Sequence, residues 1–326
     1  MSRSYRFVGR ILTAGVLMVW AGLVAAQQAY PAKPIRFILP YAPGGSTTIV
    51  GHLVGQKLTE SWGQQVLVDN RPGGNTIIGT EALVKAAPDG YTILMVSNAL
   101  VINPHLMATS YDAFKDFAPV ATLTSTEQML LVHPSVAANN LREFIALAKS
   151  KPGGLNFASA GAGSPTHLAA ALLDLLAGID MQHVPYKGGG PALTALVAGE
   201  VQLYFSPPLP AMSYVKTGRL KAIAVSGEAR VSAFPEVPTF TEAGVQGIDV
   251  RTWFGVLARA GTPNAIIEKQ AAEIARILAL PDVKAKLSSQ GTEPFIRTPE
   301  QFATFMKAES VKFAKVIKTA NIKIEQ

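Results

Sequence analysis

Short apolar runs alternate with amphipathic stretches over most of the chain, and glycine, proline or serine marks nearly every junction. Ile35–Leu39 is dense in β-formers and bounded by Pro34 and Pro40, which predicts a buried strand. Pro43-Gly44-Gly45 breaks the chain, Ser46 or Thr47 is placed to cap a helix, and Ile49, Val50, Leu53, Val54 and Leu58 recur at helical spacing. A strand at Gln65–Asp69, a loop at Asn70–Asn75, a helix at Ile77–Ala87 and a strand at Thr92–Val96 follow. This βαβαβ unit implies a parallel sheet with helices on its faces. Ala121–Leu123 and Met129–Val132 are extended segments leading out of it.

The pattern then repeats. Asn140-Leu-Arg-Glu143 has capping-box spacing and opens a helix to about Ser150. Leu155–Ala158 is a strand that runs into Ser159–Thr166, a Gly/Ser loop, and His167–Ala177 is a helix. Gln182–Pro185, Val201–Phe205 and Ala222–Val225 read as strands, with an apolar helix at Ala192–Ala198. Thr252–Ala258 reads as a strand returning to the first unit. Three helical patterns close the chain, at Pro263–Leu280, Pro281–Ser289 and Thr298–Thr319, each with a proline at or beside its start. Two α/β units with Gly-rich loops at strand ends, joined by more than one crossing, describe a cleft that closes by hinge motion.

The first residues read differently. Arg3, Arg6 and Arg10 precede an uncharged apolar run, Ile11–Val24, and the small residues Val24-Ala25-Ala26 stand before Gln27. That succession predicts a cleaved secretory signal peptide over residues 1–26. The apolar run is short for a span. Its removal takes three arginines and no acidic residue, lowering the formal net charge from +7 to +4. That mild excess, with no basic cluster interleaved with aromatics, excludes a nucleic-acid footprint. There is no cysteine, so neither a disulfide framework nor an N-terminal lipid anchor is expected. A free periplasmic protein fits, expected to be a monomer. Its hydrophobic content of 48% suffices for large cores.

Motifs for chemistry are missing. Gly161-Ala-Gly163 lacks the third fingerprint glycine, and no phosphate loop or Gly-x-Ser-x-Gly elbow occurs. The five histidines are never closer than 16 residues and none has an acidic partner at ligand spacing, so neither metal nor cofactor is expected. Ser164 with His167 leaves a serine hydrolase as the rival of another class. What remains is a set of polar loop groups: Ser46, Thr47, Thr48, Ser97, Asn98, Ser159, Ser164, Thr166 and Ser206, with many glycine amides. Helix starts after glycine turns attract anions through free N–H groups and the helix dipole. Each charge-assisted bond is worth roughly 1.5–3 kcal/mol, and a micromolar ligand needs about 8 kcal/mol. A carboxylate can therefore be held without an arginine clamp. Tyr41, Phe205 and Trp253 are candidate cleft walls.

Several motifs carry a family resemblance. Tyr30-Pro-x-Lys-Pro-Ile-Arg36, Pro40-Tyr-Ala-Pro-Gly-Gly45, Val68-Asp-Asn-Arg-Pro-Gly-Gly74, Ala87-Pro-Asp-Gly-Tyr91 and Val184-Pro-Tyr-Lys-Gly188 resemble the Bug family. So do Pro235-Glu-Val-Pro-Thr239, Glu242-Ala-Gly244 and Ala260-Gly-Thr-Pro263. These are TctC-like periplasmic receptors of tripartite tricarboxylate transporters. The resemblance implies an α/β, two-lobed type II periplasmic-binding-protein fold, each lobe a mostly parallel sheet flanked by helices. Residues 27–127 with 254–326 would form the first lobe and 128–253 the second. It further implies a non-enzymatic receptor that takes a small carboxylate, mono- or dicarboxylate and aromatic among the options, and passes it to a small and a large membrane subunit. A sensory receptor presenting ligand to a membrane kinase is the alternative. Carried over by position, the contacts would be Tyr41, Ala42, Gly44, Gly45, Ser46, Thr48 and Ser97 from the first lobe. From the second come Ser159, Ala160, Gly161, Ser164, Thr166, Tyr186, Gly188, Gly189 and Ser206. Thr48 and Ser206 stand where many relatives have aspartate, which tilts the site away from amino acids.

Overall fold

The computed structural model describes residues 30–289, 291–319 and 322; the signal-peptide segment lies outside the described residues. The first unit runs β1 (Ile35–Leu39), α1 (Ser46–Trp62), β2 (Val66–Asn70), α2 (Ile77–Val84), β3 (Thr92–Ser97), α3 (Ala99–Ile102) and β4 (Phe117–Glu127). The second runs β5 (Met129–Val132), α4 (Leu141–Ser150), β6 (Asn156–Ser159), α5 (Pro165–Ala177), β7 (Gln182–Pro185), α6 (Gly189–Ala198), β8 (Leu203–Ser206), α7 (Pro208–Lys216) and β9 (Lys221–Val225). The chain returns through β10 (Arg251–Arg259), α8 (Asn264–Ala279), α9 (Pro281–Ser288), β11 (Glu293–Pro294) and α10 (Pro299–Thr319).

Two sheets result, in the orders β11-β4-β10-β3-β1-β2 and β7-β6-β8-β5-β9. Both are mixed. The βαβ strands pair in parallel (β1 with β2 and β3, β6 with β7 and β8), and the strands that cross between lobes enter antiparallel (β10 against β3 and β4, β5 against β8 and β9). The reason is connectivity: β4 leads directly into β5, and β10 comes back from the second lobe without a crossover helix.

Each sheet has its own core. Phe37, Val54, Met95 and Ile274 pack on one, Phe144, Phe157, Leu168 and Leu203 on the other. Helix α10 belongs to both. Phe302 and Met306 pack beside Trp253 and Leu257, while Phe313 and Ile317 join the second-lobe core. It is a third crossing between the lobes.

At α4 the Asn140 cap forms as the spacing predicts, while Glu143 reaches back to the residue before the cap rather than to the cap's own amide. Glu143 N donates to Asn140 Oδ1 (2.9 Å), and Glu143 Oε2 accepts from Asn139 N (2.8 Å). Elsewhere the pattern misled. Helix α1 is capped by Gly45 with no side-chain bond, so neither Ser46 nor Thr47 is the cap. Strand β4 is eleven residues long, because Thr122, Thr124 and Thr126 are buried strand positions rather than solvated ones. Helices α3 and α7 were not anticipated, the first too short and the second hidden in a proline-rich run.

At the β4–β5 crossing Glu127 is largely buried. It is paired with Arg251 (2.7 Å) and accepts from Ser226 Oγ (3.1 Å). Burial pushes its carboxyl from 4.5 to about 7, against the pull of Arg251 and the Ser226 hydroxyl. The folded chain thus holds a proton there between pH 4.5 and about 7 that the unfolded chain has released, so stability falls as pH rises through that window. Asp174, also pushed to about 7 by burial, adds to the same slope. Glu127→Gln is expected to make the slope shallower in urea-unfolding series across this range. An unchanged slope would assign it to Asp174 instead.

Candidate functional site

The carboxyl ends of β1, β3, β6 and β8 face one another across a pocket. Its wall is Tyr41, Gly45, Ser46, Thr47, Ser97, Ala160, Ser164, Pro165, Thr166, Gly189, Tyr204, Pro207, Pro210, Thr252 and Phe254. The cavity measures about 40 Å³. At about 10–15 Å³ per water that is room for a few water-sized groups, so a larger ligand requires the lobes to part. None of the lining side chains is charged.

The lobes meet through glycine. Ala42 N donates to Lys187 O across the cleft (3.1 Å). A Cβ on Gly190 would fall inside the Pro43 carbonyl, and one on Gly45 would stand 3.3 Å from Gly190 N. Gly188, at φ +137°, brings its Cα against Ala42. Only glycine permits this backbone-on-backbone approach. A second contact sits beside it. Asn75 and Thr76 are held left-handed (φ 51° and 76°), with Asn75 paired to Asn103 in both directions (2.7 Å each) and lying against Gly161 of the other lobe.

Two helix starts supply donors. At α1 the amides of Ser46 and Thr47 have no partner among the described residues, and the buried Ser46 Oγ has none either. At α5 Ser164 is the cap, its Oγ accepting from His167 N (3.3 Å) and bonded to Thr166 Oγ1 (2.9 Å), which accepts from Ala160 N (2.9 Å). The Tyr41 hydroxyl, pushed up to about 12 by burial, is bonded to Ser97 Oγ (2.6 Å). Burial raises Tyr204 as well.

Behind the second-lobe loop lies a histidine pair. His167 and His183 stack at 4.0 Å between centroids, with Phe157 beside them. Burial pushes them down to about 3 and about 4, so both are neutral. His167 Nδ1 accepts from Gly163 N (3.0 Å) and His183 Nε2 is bonded to Ser159 Oγ (2.7 Å). The His167 ring is thus committed to the loop backbone and has no carboxylate behind it. It is no general base for Ser164, which removes the hydrolase rival.

Of the residues named from sequence, Tyr41, Gly45, Ser46, Thr47, Ser97, Ala160, Ser164, Thr166 and Gly189 line the pocket. Ala42, Gly44 and Gly188 form the closing contact, and Gly161 and Tyr186 lie on its rim with Asn75. Ser159 sits beneath the loop. Thr48 and Ser206 do not face the cavity: Ser206 Oγ donates to Pro207 O (2.8 Å). Phe205 and Trp253 are core residues, stacked on Phe240 and bonded to Glu309 respectively. Their neighbours Tyr204 and Phe254 form the wall, a one-residue shift that swaps faces in a strand. Asn98 ties β3 to Trp253 N and Glu309 rather than facing the ligand. Asp69 is paired with Arg36 and Arg71, Glu127 with Arg251 and Asp249 with Lys312, and none of the three lines the pocket.

A closed, uncharged pocket between two lobes, walled by helix N-termini, has the form of a solute receptor. The model of the tripartite tricarboxylate transporter family receptor, TctC, matches residues 50–322. The chain belongs to this family. The TctC family is periplasmic and non-catalytic, and its members serve tripartite tricarboxylate transporters. The chain is similar to R. palustris Rpa4515 with adipate, at 29% identity over 90% of this chain and 99% of that one, with a TM-score of 0.88. It is likewise similar to the periplasmic binding protein BugD (27%, 91% and 100%, 0.87) and to MatC from Rhodopseudomonas palustris with bound malate (31%, 88% and 100%, 0.83).

Closure through glycine yields a direct expectation. Gly190→Ala, a substitution that favours helix in α6, should leave the melting temperature within about 2–4 °C of the parent. It should nonetheless hold the lobes apart, giving a larger radius of gyration by small-angle scattering. An unchanged radius would mean that the Pro43–Gly190 contact does not limit closure.

Proposed function

We propose that the chain captures a small carboxylate between its lobes, for delivery to the small and large membrane subunits of a tripartite tricarboxylate transporter. The observation that carries this reading is the unpartnered Ser46 hydroxyl beside the free Ser46 and Thr47 amides, facing the Ser164–Thr166 helix start of the other lobe. Both helix dipoles favour negative charge there, and no acidic side chain lines the cavity to repel it. The carboxylate contacts Gly45, Ser46, Thr47, Ser164 and Thr166, with Tyr41, Ala160, Gly189 and Tyr204 around it. The bound adipate and malate of the similar proteins support the class of ligand. No metal or cofactor enters this function, and the chain acts as a monomer.

A thermal-shift screen of the mature chain over small carboxylates tests it, since a ligand at 100 times its dissociation constant adds about 2.7 kcal/mol. Stabilisation by none of them would overturn the proposal. Ser46→Ala should weaken the best ligand by about 1.5–3 kcal/mol in calorimetry. Its melting temperature should not change, because the hydroxyl has no partner among the described residues. A simple carboxylate should also bind at least tenfold better than its α-amino counterpart, a gap of about 1.4 kcal/mol, since an ammonium would find no acidic partner in the wall.

The exported form is the remaining part of the proposal. With residues 1–26 removed, intact mass of periplasmic material should start at Gln27. A full-length species fixed in the membrane would contradict it.

A further inference from the structure

The donors of the pocket are unevenly placed. Besides α1, α5 and α6, a fourth helix, α7, begins at its wall, and it begins Pro207-Pro208-Leu209-Pro210. Pro207 is the cap and Pro208 the first helical residue, so three of the four amides that a helix start would direct outward do not exist. The fourth belongs to Leu209, whose side chain is seated in the first-lobe core. A helix start that would hold an anion is instead a proline surface.

The hydroxyls around it are mostly engaged with one another. Ser206 Oγ donates to Pro207 O, Tyr41 and Ser97 share one hydrogen bond, and Thr252 Oγ1 accepts from Gln128 Nε2, so the hydroxyl protons left over are that of Thr252 and one of the Tyr41–Ser97 pair. Pro207, Pro210, Phe254, Pro165 and the Tyr204 ring supply the rest of the wall. Backbone donors are thus concentrated at the Ser46–Thr47 start, where Ser46 is only 6% exposed and its Oγ has no partner among the described residues. A second carboxylate placed against the prolines would lose water without gaining a hydrogen bond.

From this polarity we infer that the ligand is a monocarboxylate with an apolar, uncharged tail, its carboxylate at the α1 and α5 starts and its tail against α7 and Phe254. The inference rests on the carboxylate-receptor reading and narrows its ligand class. It departs from the dicarboxylates held by the similar proteins.

Calorimetry on the mature chain with pairs of equal carbon number, pentanoate with glutarate and hexanoate with adipate, decides it, and benzoate with terephthalate, one carbon apart, serves for aromatic tails. The monocarboxylate should bind at least tenfold tighter in every pair that binds. Parity, or tighter binding of the diacids, would overturn this inference and leave the receptor reading standing. Silence across both sets, with other carboxylates silent too, would overturn the receptor reading itself. Pro210→Ala restores an amide in the first turn of α7. It should raise the affinity for adipate relative to hexanoate threefold or more, since adipate gains a donor while the hexanoate tail loses the proline ring it rests on, and a ratio equal to the parent's would count against the inference.

Discussion

Everything at this site depends on two backbones touching across a cleft. Pro43-Gly44-Gly45 and Gly188-Gly189-Gly190 come from different sheets and different cores, yet no side chain separates them. That contact does more than close the lobes. Each glycine turn leads into a helix, α1 from one lobe and α6 from the other, so closure gathers helix starts at one point. Water leaves the same volume as the lobes meet. Dipoles weak in water act strongly once the surroundings have a low dielectric. The site is therefore assembled by closure and hardly exists without it.

The rest of the molecule keeps those turns in place. Strand β1 delivers the first turn from the middle of a six-stranded sheet, between β2 and β3. The second-lobe loop is held from behind by two neutral imidazoles, one accepting from the Gly163 amide and the other bonded to Ser159. Their burial suits this task, because a charged ring could not accept that amide proton. Three chain crossings limit how the lobes move. Two are extended strands, and the third is α10, anchored at its start in one core and at its end in the other.

Much of this was legible as pattern. Apolar runs ending in glycine gave the strands, turns and helix starts, and the Gly-Gly-Ser and Gly-Ser-Pro-Thr junctions pointed to the cleft. Facing was not legible. Phe205 and Trp253 read as walls, but alternation along β8 and β10 puts Tyr204 and Phe254 there, and nothing local in the sequence fixes which face a two-sided buried strand turns to the ligand. Capping failed for a related reason. Ser46 has the composition of a cap, but the preceding glycine takes that place and leaves the hydroxyl free. No helix is predicted at the proline start of α7, because proline signals a break and a helix beginning with the same residue. Its meaning comes only from its position at the wall.

An uncharged wall has a consequence for how such a receptor behaves. An arginine in the cleft would attract anions whether or not the lobes were closed, and its burial would carry a desolvation penalty in every closed state without ligand. Backbone amides and hydroxyls carry neither burden. In the open cleft they are solvated, and their pull on a carboxylate is modest in water. In the closed cleft the same groups face a desolvated anion and hold it firmly. Most of the binding free energy is then released at closure rather than at first contact. The closed lobes become the form that reports an occupied site, and reopening them weakens every ligand contact at once, which is what handing a solute to another protein requires.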